Sequence, residues 1–528
     1  MLRIADHITR QAHRHPDRPA VTFGREIFTW AVFEKRCWGV AAMLHDLGIL
    51  PGDRVAYLGL NSHRYFECYY APSRIGAILV PLNIRLSVAE LVECVTDCTP
   101  KALIVDPDLV NEGRSIASAC PSIEVLICGT SDQGPDDMCS YDQIVGQHQS
   151  VDPRCFNELA SQDSDTIIIF YTSGTTGRAK GVMLSHTGLF TNAIGVPPLF
   201  GLREGETHLL AGPMFHLGAG SRVYSALMLG AHTVLLPKFD VAQALMAIEQ
   251  HRINVIVLVP TMLAMLLEHP QFGEFDLSSL RLITYGAAPM PIALLERAMV
   301  TLPDIQFGQA YGMTEVSPVL TVLTPDEHDP IGRAANRLTS VGRPLSYVDL
   351  RVVDSTDRPL EHGETGEIIV RGPNVMNGYW KQPELTAEAL RGGFFHTGDA
   401  GYLDEDGFVY LVGRLKEMII TGAENVYPIE IENVLSQHPA VAACAVFGLP
   451  DDFWGETVHA VVRSKAGTAT DEATLIEHCR SHLAHYKCPR TVSFRSEAMP
   501  LSSSNKIDKS ALRQSLLNSR EFSTITDT

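Results

Sequence analysis

The sequence predicts an α/β protein built on parallel sheets. The main observation is a series of short apolar, β-branched runs that alternate with helical patterns through the first three hundred or so residues. Such alternation is typical of parallel strands joined by crossover helices. The predicted strands are residues 54–60, 77–82, 101–106, 125–128, 166–170, 232–237, 255–260 and 280–286.

The pattern changes twice towards the C-terminus. From about residue 341, Gly-punctuated strand pairs such as GEIIVRG and GFVYLVGR predict a small antiparallel barrel or sheet. After Arg414 the pattern is compact α+β, with strands near 443–448, 458–463 and 491–495 and a helix near 472–484. A chain of 528 residues exceeds what one hydrophobic core usually serves. We therefore expect two or more domains, with a boundary near residues 413–416.

Composition excludes several classes of function. The 42 basic and 61 acidic residues give a net charge of −19, which disfavours nonspecific binding to nucleic acid or to anionic lipid. The stretch 253–267 is interrupted by Pro260 and is too short to span a bilayer, so it predicts a buried strand and then a helix that begins at the proline. The N-terminus lacks the apolar run of a signal peptide and predicts an amphipathic helix.

Cysteine usage indicates a reduced, cytoplasmic protein. The eleven cysteines are an odd number and contain no CxxC pair, so neither a disulfide framework nor a zinc ribbon is predicted. Cys94 and Cys98 are four residues apart, and no further pair at metal spacing accompanies them. We interpret them as the apolar face of a helix rather than as metal ligands.

The segment IIIFYTSGTTGRAKGVMLSH (167–186) predicts an anion-binding loop after a buried strand. Its glycines permit close backbone approach, its hydroxyl groups can donate hydrogen bonds, and Lys180 supplies a charge. The Walker phosphate loop requires a lysine directly after its last glycine, and no Gly-Lys pair occurs in this sequence. The candidate phosphate-binding residues are Thr172, Ser173, Gly174, Thr175, Thr176, Gly177 and Lys180.

Three further segments carry groups suited to nucleotide activation. GQAYGMTE (308–315) joins an aromatic ring, Tyr311, to the Thr314 hydroxyl and the Glu315 carboxylate, an order that suits an adenine-facing ring, a phosphate donor and a Mg²⁺ ligand. Asp399 in FHTGDAGYLDEDG offers two acceptor oxygens for ribose hydroxyls, and Arg414 offers a cationic fork. Each segment alone is weak evidence for a nucleotide site. An Asp in a Thr-Gly-Asp turn, for example, usually serves only to form the turn.

Together these segments resemble the core motifs of the adenylate-forming superfamily, which comprises acyl-CoA synthetases, firefly-type luciferases and peptide-synthetase adenylation domains. The resemblance begins at Tyr-Thr-Ser-Gly-Thr-Thr-Gly-x-x-Lys-Gly (171–181) and extends over nearly the full length. It implies a large N-terminal domain, residues 1–415, of two doubly wound sheets plus a small β-barrel-like subdomain. It also implies a small, mobile α+β lid domain, residues 416–528.

The resemblance assigns further roles by position. YGAAP (285–289) and the glycine after Tyr311 resemble the segments that line the adenine and acyl-carboxylate site, and His216 in PMFHLGAG resembles the histidine that gates the acyl pocket. TGAENVYP resembles the stretch facing the thiol tunnel, with Ala423 where many relatives have a second glycine. Lys506 in LSSSNKID resembles the catalytic lysine, with Asn505 replacing a glycine, and Lys416 matches the hinge. The residues so implied are Gly286, Ala287, Ala288, Gly312, Gly422, Ala423, His216, Lys416 and Lys506.

The resemblance implies an ATP-dependent acid:CoA ligase that acts on a fatty or aryl acid and uses ATP, Mg²⁺ and coenzyme A. The alternatives are a ligase that transfers its acyl group to a carrier protein, a luciferase-like oxygenase and a non-catalytic nucleotide-binding protein. The acid cannot be read from the sequence. Arg222, six residues after His216, is a candidate for a second carboxylate, with a surface or structural role as the alternative. A homodimer is a further possibility.

Overall fold

The structure is a computed structural model that describes residues 3–130, 134–148, 150–156, 158–172, 179–422, 424–451, 453–465, 467–501 and 507–525. Its contacts divide the chain into two compact units. The first comprises residues 1–290, 296–349 and 370–395, and the second comprises residues 291–295, 350–369 and 396–528. Among the described residues, every helix is too short or too polar to cross a bilayer.

The strands lie in four sheets within the described part of the chain. They are β1 (Pro19–Phe23), β2 (Glu26–Thr29), β3 (Arg54–Leu58), β4 (Ile78–Leu82), β5 (Ala102–Val105), β6 (Val125–Cys128), β7 (Cys139–Ser140), β8 (Thr166–Thr172), β9 (Lys180–Ser185), β10 (Thr207–Leu210), β11 (His232–Leu235), β12 (Val255–Leu258), β13 (Leu282–Gly286), β14 (Gln306–Tyr311), β15 (Thr321–Leu323), β16 (Arg343–Pro344), β17 (Asp349–Val353), β18 (Gly366–Arg371), β19 (Gly378–Tyr379), β20 (Phe395–Leu403), β21 (Val409–Arg414), β22 (Ile419–Thr421), β23 (Glu424–Val426), β24 (Val441–Asp451), β25 (Gly455–Ser464) and β26 (Thr491–Phe494).

The α-helices of the described residues connect and cover these strands. They are α1 (Asp6–Arg14), α2 (Trp30–Asp46), α3 (His63–Cys68), α4 (Val88–Cys98), α5 (Val110–Ala119), α6 (Tyr141–Gln147), α7 (His186–Leu199), α8 (Leu217–Leu229), α9 (Val241–His251), α10 (Pro260–Leu267), α11 (Ile292–Thr301), α12 (Pro330–Ala334), α13 (Pro383–Ala389), α14 (Pro428–Gln437), α15 (Glu472–Arg480) and α16 (Lys509–Ile525).

The first unit contains two large sheets, which confirms the predicted α/β class. One has the order β16-β15-β14-β13-β12-β10-β11-β1-β2, and its strands from β14 to β1 are parallel. The other has the order β19-β9-β8-β4-β3-β5-β6-β7 and is parallel from β8 to β7. In both sheets the antiparallel pairs lie at the edges, which leaves the helix-covered parallel strands in the core.

Local sequence explains several elements of this unit. Ser87 and Glu90 form a reciprocal capping box at the start of α4. Cys94 and Cys98 lie on the buried face of that helix, so their interpretation as core residues is confirmed. Pro260 begins α10, as predicted. Proline is favourable there because the amide hydrogen that it lacks would have no partner in the first turn of a helix.

Some strand ends differ from the prediction for a steric reason. The run 54–60 is a strand only to Leu58, because the chain turns at Gly59. A Cβ on Gly59 would lie 2.4 Å from the carboxyl carbon of Asp106. That carboxylate accepts a hydrogen bond from the Leu60 amide at 2.6 Å, which pulls the chain out of the sheet. A distant side chain therefore ends β3, and the local sequence does not show it.

The second unit contains two smaller sheets. β17, β18, β20 and β21 form one in that order. The other has the order β23-β22-β25-β24, with β26 paired in parallel to β25. The β24–β25 ladder runs from Val441 to Asp451, with a register shift between Val441 and Ala443, and is longer than the predicted strand 443–448. The prediction ended too early because Gly448 and Pro450 are uncommon inside strands. α14 and α15 cover the apolar core of this sheet, which includes Ile431, Leu435 and Leu475.

The compact units do not begin or end at residue 416. The second unit runs from His396 through Lys416 to the C-terminus, and it also takes in residues 350–369. The units are defined by the density of their contacts, whereas the predicted domains are parts of the chain that move as rigid bodies. The domain boundary at 415/416 therefore remains a prediction.

Candidate active site

The carboxyl ends of two parallel strands place the predicted nucleotide segments side by side. β13 and β14 pair so that Gly286 lies opposite Ala310, and Tyr311 and Gly312 follow at once. A Cβ on Gly286 would lie 2.3 Å from the Ala310 carbonyl oxygen, so this approach requires glycine. Residues 282–285 are buried, whereas residues 286–290 and 311–315 are half-buried or exposed. Ligands of open α/β sheets bind at this edge.

The turn that carries Thr314 and Glu315 is held by two buried asparagines. Asn192 of α7 donates from Nδ2 to the Val316 carbonyl at 3.1 Å and accepts from the Val319 amide at 3.2 Å. Asn374 donates from Nδ2 to the Val316 and Val319 carbonyls at 3.0 and 3.1 Å. These bonds satisfy backbone groups that lie outside regular secondary structure, so the turn has a fixed shape.

The predicted phosphate loop joins two antiparallel strands at the edge of the eight-stranded sheet. β8 and β9 pair so that Thr172 lies opposite Lys180, and both residues are half-buried. A Cβ on Gly181 would lie 2.9 Å from Ile169 Cγ2 and 3.1 Å from Trp380 Cβ, which explains the glycine after Lys180. The loop residues Ser173, Gly174, Thr175, Thr176 and Gly177 lie outside the described residues.

Tyr379 connects this hairpin to the Thr314–Glu315 turn. β19 pairs with β9 and places Tyr379 opposite Val182. Lys180 Nζ lies 5.1 Å from the centre of the Tyr379 ring, within the range of a cation–π contact. The Tyr379 hydroxyl donates to Glu315 Oε1 at 3.1 Å, and the Met376 amide donates to the Glu315 carbonyl at 2.8 Å. The structure thus brings together Lys180 and Glu315, which are distant in sequence.

The start of α8 lies beside the same edge. His216 immediately precedes the helix, is half-buried, and has its ring 4.8 Å from that of Phe215. A Cβ built on Gly218 would lie 3.8 Å from Ala287 Cβ. Ala287 has a φ of +63°, a left-handed conformation that costs energy for a residue with a Cβ. Such strain is common at functional sites, and Ala288 follows it, half-buried.

In the second unit, the structure pairs Asp399 with Arg414. Their strands β20 and β21 place them directly opposite each other, and Arg414 Nε lies 2.7 Å from Asp399 Oδ1. Asp399 is buried, whereas half of the Arg414 side chain is exposed. An exposed partner makes this ion pair worth little to stability. The pair nevertheless fixes the orientation of the buried carboxylate.

The predicted hinge and tunnel residues also lie in the second unit. Lys416 is exposed in a short 3₁₀ turn, Leu415–Glu417. Gly422 has a φ of +59°, and a Cβ there would lie 2.6 Å from the Trp454 ring, so the position requires glycine. Ala423 and Lys506 lie outside the described residues.

The Mg²⁺ ligand predicted from the sequence, Glu315, is chemically suitable. It is half-buried and offers carboxylate oxygens, and the adjacent Thr314, predicted to donate to a phosphate, is also half-buried. Mg²⁺ prefers such hard oxygen donors, usually one or two from protein together with substrate phosphates and water. The residues present therefore fit this ion.

Sequence reasoning missed Tyr379, Asn192 and Asn374. Their local sequences carry no motif for nucleotide chemistry, and their roles come from tertiary contacts that join separate segments. The burial of Asn374 would have been a signal, since a fully buried amide must find partners, but burial at that position cannot be read from a loop sequence.

Comparison with known proteins agrees with this geometry. The family model for AMP-binding enzymes matches residues 8–380, and the family model for the AMP-binding enzyme C-terminal domain matches residues 430–506. The chain is 38% identical over 510 residues to a feruloyl-CoA synthase from Amycolatopsis sp, covering 96% of this chain and 97% of that protein.

Two solved structures have the same fold. The amide bond synthetase McbA from Marinactinospora thermotolerans gives a TM-score of 0.85 at 31% identity, covering 97% of this chain and 99% of that one. The o-succinylbenzoate CoA synthetase from Bacillus subtilis, in complex with its acyl-adenylate intermediate, gives 0.82 at 29% identity, covering 97% of each chain. Since the family models and these relatives span almost the whole length, the chain belongs to the AMP-binding family of adenylate-forming enzymes.

Proposed function

We propose that the chain is an ATP-dependent acid:CoA ligase that acts on an aryl acid. The relative named feruloyl-CoA synthase and the neighbour named o-succinylbenzoate CoA synthetase support a CoA ligase with an aromatic substrate. A fatty acid is the alternative substrate. The eleven free thiols support a reduced, cytoplasmic setting.

The reaction has two steps. A carboxylate oxygen of the acid attacks the α-phosphorus of ATP, the bond between the α-phosphorus and the bridging oxygen breaks, and pyrophosphate leaves with that bond's electrons. The thiolate of CoA then attacks the carbonyl carbon of the acyl-AMP, and AMP leaves. Because the carboxylate is already a nucleophile, catalysis requires positioning and charge neutralisation.

Side chains of the first unit serve the adenylation step in this proposal. Lys180 and the loop 173–177 hold the leaving phosphates, while Tyr311 faces the adenine beside Gly286–Ala288 and Gly312. Thr314 donates to the α-phosphate. Glu315 holds Mg²⁺, which would neutralise phosphate charge, and His216 gates the acyl pocket.

The remaining roles fall to residues of the C-terminal part. Asp399 accepts hydrogen bonds from the ribose hydroxyls, with Arg414 holding that carboxylate. Lys506 neutralises charge where the substrate carboxylate meets the α-phosphate. Residues 1–415 form the adenylation domain, and residues 416–528 form a lid that turns about Lys416 and presents Gly422 and Ala423 to the thiol.

The contact of Tyr379 with both Lys180 and Glu315 carries the proposal. Lys180 begins a strand of one sheet, Glu315 follows a strand of another, and the two are assigned to different parts of the triphosphate. They meet at one aromatic side chain, although well over a hundred residues separate them in sequence. An ordinary core contact would not require a half-buried cation and a half-buried carboxylate at the same ring.

The proposal is tested by separating the half-reactions. Pyrophosphate release from ATP should require an acid, and mass spectrometry should detect acyl-AMP without CoA and acyl-CoA with it. Lys506→Ala should reduce adenylation about 10² to 10³-fold, the usual effect of losing one transition-state contact. Supplied acyl-AMP should still react with CoA. If both half-reactions fall equally, the role of Lys506 is wrong, and if ATP turns over without acyl-AMP, the proposed function is wrong.

An amine is a second candidate for the acyl acceptor. The neighbour named amide bond synthetase McbA shares the fold over nearly the whole chain, and the first half-reaction is the same for either acceptor. Replacing CoA by a panel of amines in the assay above distinguishes them. A CoA ligase should form the thioester much faster than any amide.

A further inference from the structure

A polar pocket lies between α8 and the nine-stranded sheet in the first unit. Its polar lining residues are Arg222 of α8, His208 of β10 and Thr233 of β11, and Ala226, Val255 and Val257 supply apolar wall. Thr233 and His208 are direct neighbours in the sheet. Three polar side chains therefore face one small space that is otherwise apolar.

Arg222 lacks a compensating carboxylate among the described residues. It is half-buried, and its Nη2 donates to the Thr284 hydroxyl at 2.9 Å. Burial lowers the pKa of Arg222 to about 10, so the guanidinium is still charged at neutral pH. Removing a cation from water is costly unless an anion or several acceptors replace the solvent. Its hydrogen bond to one hydroxyl and its position 5.8 Å from the centre of the Phe200 ring are weak compensation for that cost.

His208 and Thr233 add unused hydrogen-bonding capacity. His208 is 8% exposed and Thr233 is 3% exposed. Neither His208 Nε2 nor Thr233 Oγ1 has a hydrogen-bond partner within the described ranges. Burial, aided by the charge of Arg222, lowers the pKa of His208 to about 4, so the ring is neutral at pH 7. Unpaired buried groups of this kind are rare in folded proteins and call for a ligand or solvent partner.

The pocket residue Arg222 and its partner Thr284 are each a few residues away from the proposed reaction centre near Ala287. Gly218, which approaches Ala287, precedes Arg222 by four residues on α8, which corresponds to a rise of about 6 Å. Thr284 precedes Ala287 by three residues on the neighbouring strand, a span of about 10 Å. A Cβ on Gly218 would already be in van der Waals contact with Ala287 Cβ, so α8 passes close to the end of β13 at this level. An acid that reacts near Ala287 would direct its far end towards Arg222.

We propose that Arg222, with His208 and Thr233, binds a second oxygen-bearing group at the far end of the acid substrate, and binds a carboxylate more strongly than a hydroxyl. This inference rests on the proposed function and narrows its substrate class to acids that carry a distal acceptor. A carboxylate would neutralise the guanidinium through charge-assisted hydrogen bonds, and His208 and Thr233 would donate to the same group.

The test compares three acids that differ only at the far end: cinnamate, 4-hydroxycinnamate and 4-carboxycinnamate. Acid-dependent pyrophosphate release gives kcat/KM for each acid with the wild type, Arg222→Lys and Arg222→Met. We expect the wild type to prefer 4-carboxycinnamate over cinnamate at least about tenfold, with 4-hydroxycinnamate between them. Arg222→Met should reverse that order, and Arg222→Lys should retain part of it. Arg297→Met, which alters an exposed arginine near Glu268, is the matched control and should keep the wild-type order.

The outcomes separate the two proposals. If no acid yields acyl-AMP, the proposed function fails. If acids are activated but cinnamate is best with the wild type, or if Arg222→Met keeps the wild-type order, the inference about Arg222 fails and the ligase assignment stands. Thermal melting accompanies each variant. Should Arg222→Met fail to fold, the wild-type order and its weakening in Arg222→Lys decide the question.

Discussion

Tyr379 acts at the scale of a single residue. Its ring contacts the Lys180 ammonium, and its hydroxyl donates to Glu315, so one side chain orients both a proposed phosphate ligand and a proposed metal ligand. Since it touches neither substrate nor metal in this proposal, it is a positioning residue. Its effect on catalysis must pass through the carboxylate that it holds.

Replacing Tyr379 by Phe removes the hydrogen bond to Glu315 and keeps the aromatic ring. A hydrogen bond to a charged group is worth about 1.5–3 kcal/mol, so we expect adenylation to slow about tenfold or more. The concentration of Mg²⁺ needed for half-maximal rate should also rise, because the carboxylate is less well oriented. The measurement is pyrophosphate release as a function of Mg²⁺ concentration.

Tyr347→Phe is the matched control, since the buried Tyr347 hydroxyl has no hydrogen-bond partner in the part of the chain that the structure describes. It should leave the Mg²⁺ dependence unchanged. An unaltered Mg²⁺ dependence in Tyr379→Phe would contradict a role through Glu315.

The Thr314–Val319 turn acts at the scale of an element. It follows β14 directly, and its carbonyl groups are bound by side chains from α7 and from the segment before β19. Three segments therefore determine the position of Thr314 and Glu315. A site built in this way is preorganised, because these side-chain hydrogen bonds add to the backbone hydrogen bonds of the short 3₁₀ turn Thr314–Val316.

Asn374→Ala should loosen this turn. It removes two donated hydrogen bonds at a fully buried position and leaves the Val316 and Val319 carbonyls without those donors. We expect the free energy of unfolding to fall by about 2–3 kcal/mol and adenylation to slow. Urea denaturation and pyrophosphate release measure the two effects.

Asn377→Ala is the matched control. Asn377 also donates two hydrogen bonds from Nδ2, to the Ser164 carbonyl and the Thr166 hydroxyl, but in exposed surroundings. It should cost less than 1 kcal/mol and leave adenylation unaffected. Equal losses for the two variants would show that burial of Asn374 does not matter.

Predictability also differs between kinds of element. Strands such as Ile78–Leu82 and Ala102–Val105 follow directly from apolar runs, because a strand that is buried on both faces is apolar throughout. The sequence indicated Asp399 and Arg414 separately, as an acceptor for ribose hydroxyls and as a cationic fork, and their ion pair follows only from the register of β20 and β21. Tyr379 and Asn374 could not be predicted, because their partners are distant in sequence.

At the scale of the whole molecule, three buried histidines and the half-buried His232 make stability depend on pH. Burial lowers the pKa of His186, His208, His232 and His328 from 6.5 to about 4. The unfolded chain binds these protons at pH 6.5 and the folded chain does not, so stability is present above pH 6.5 and is lost as pH falls towards 4. Asp106 acts in the opposite direction, since burial raises its pKa to about 6.

We expect the free energy of unfolding to fall by about 5 kcal/mol between pH 7.5 and pH 5.5. Each histidine contributes about 1.4 kcal/mol at pH 5.5, and protonation of Asp106 offsets less than one of them. Urea titrations at the two pH values measure the difference. His232→Gln should reduce the pH dependence by about one quarter, and a stability that is equal at both pH values would contradict the neutral, buried state of these rings.

The proposed lid motion requires contacts near Lys416 to separate. An apolar cluster in the second unit joins Val412 and Ala400 before this residue to Tyr427 after it. The ion pair of Lys509 Nζ with Glu417 Oε2, at 3.1 Å, joins two residues that both follow Lys416 and can therefore stay intact. A rotation about residue 416 must part the cluster, whose few members make that cost modest compared with unfolding a sheet.

Lys416→Pro should therefore separate the two half-reactions. The short helical turn at Leu415–Glu417 tolerates proline near its start, because φ near −65° is already helical, so the variant should fold. The ring then removes the backbone rotation that a hinge needs. We expect acid-dependent pyrophosphate release to persist and thioester formation from supplied acyl-AMP to fall at least about tenfold.

Lys416→Ala keeps the backbone free and should perform both steps, which separates loss of rotation from loss of the side chain. If Lys416→Pro runs both half-reactions at wild-type rates, the hinge lies elsewhere, and the continuity of the second unit across residue 416 would then be the better guide to the domain boundary.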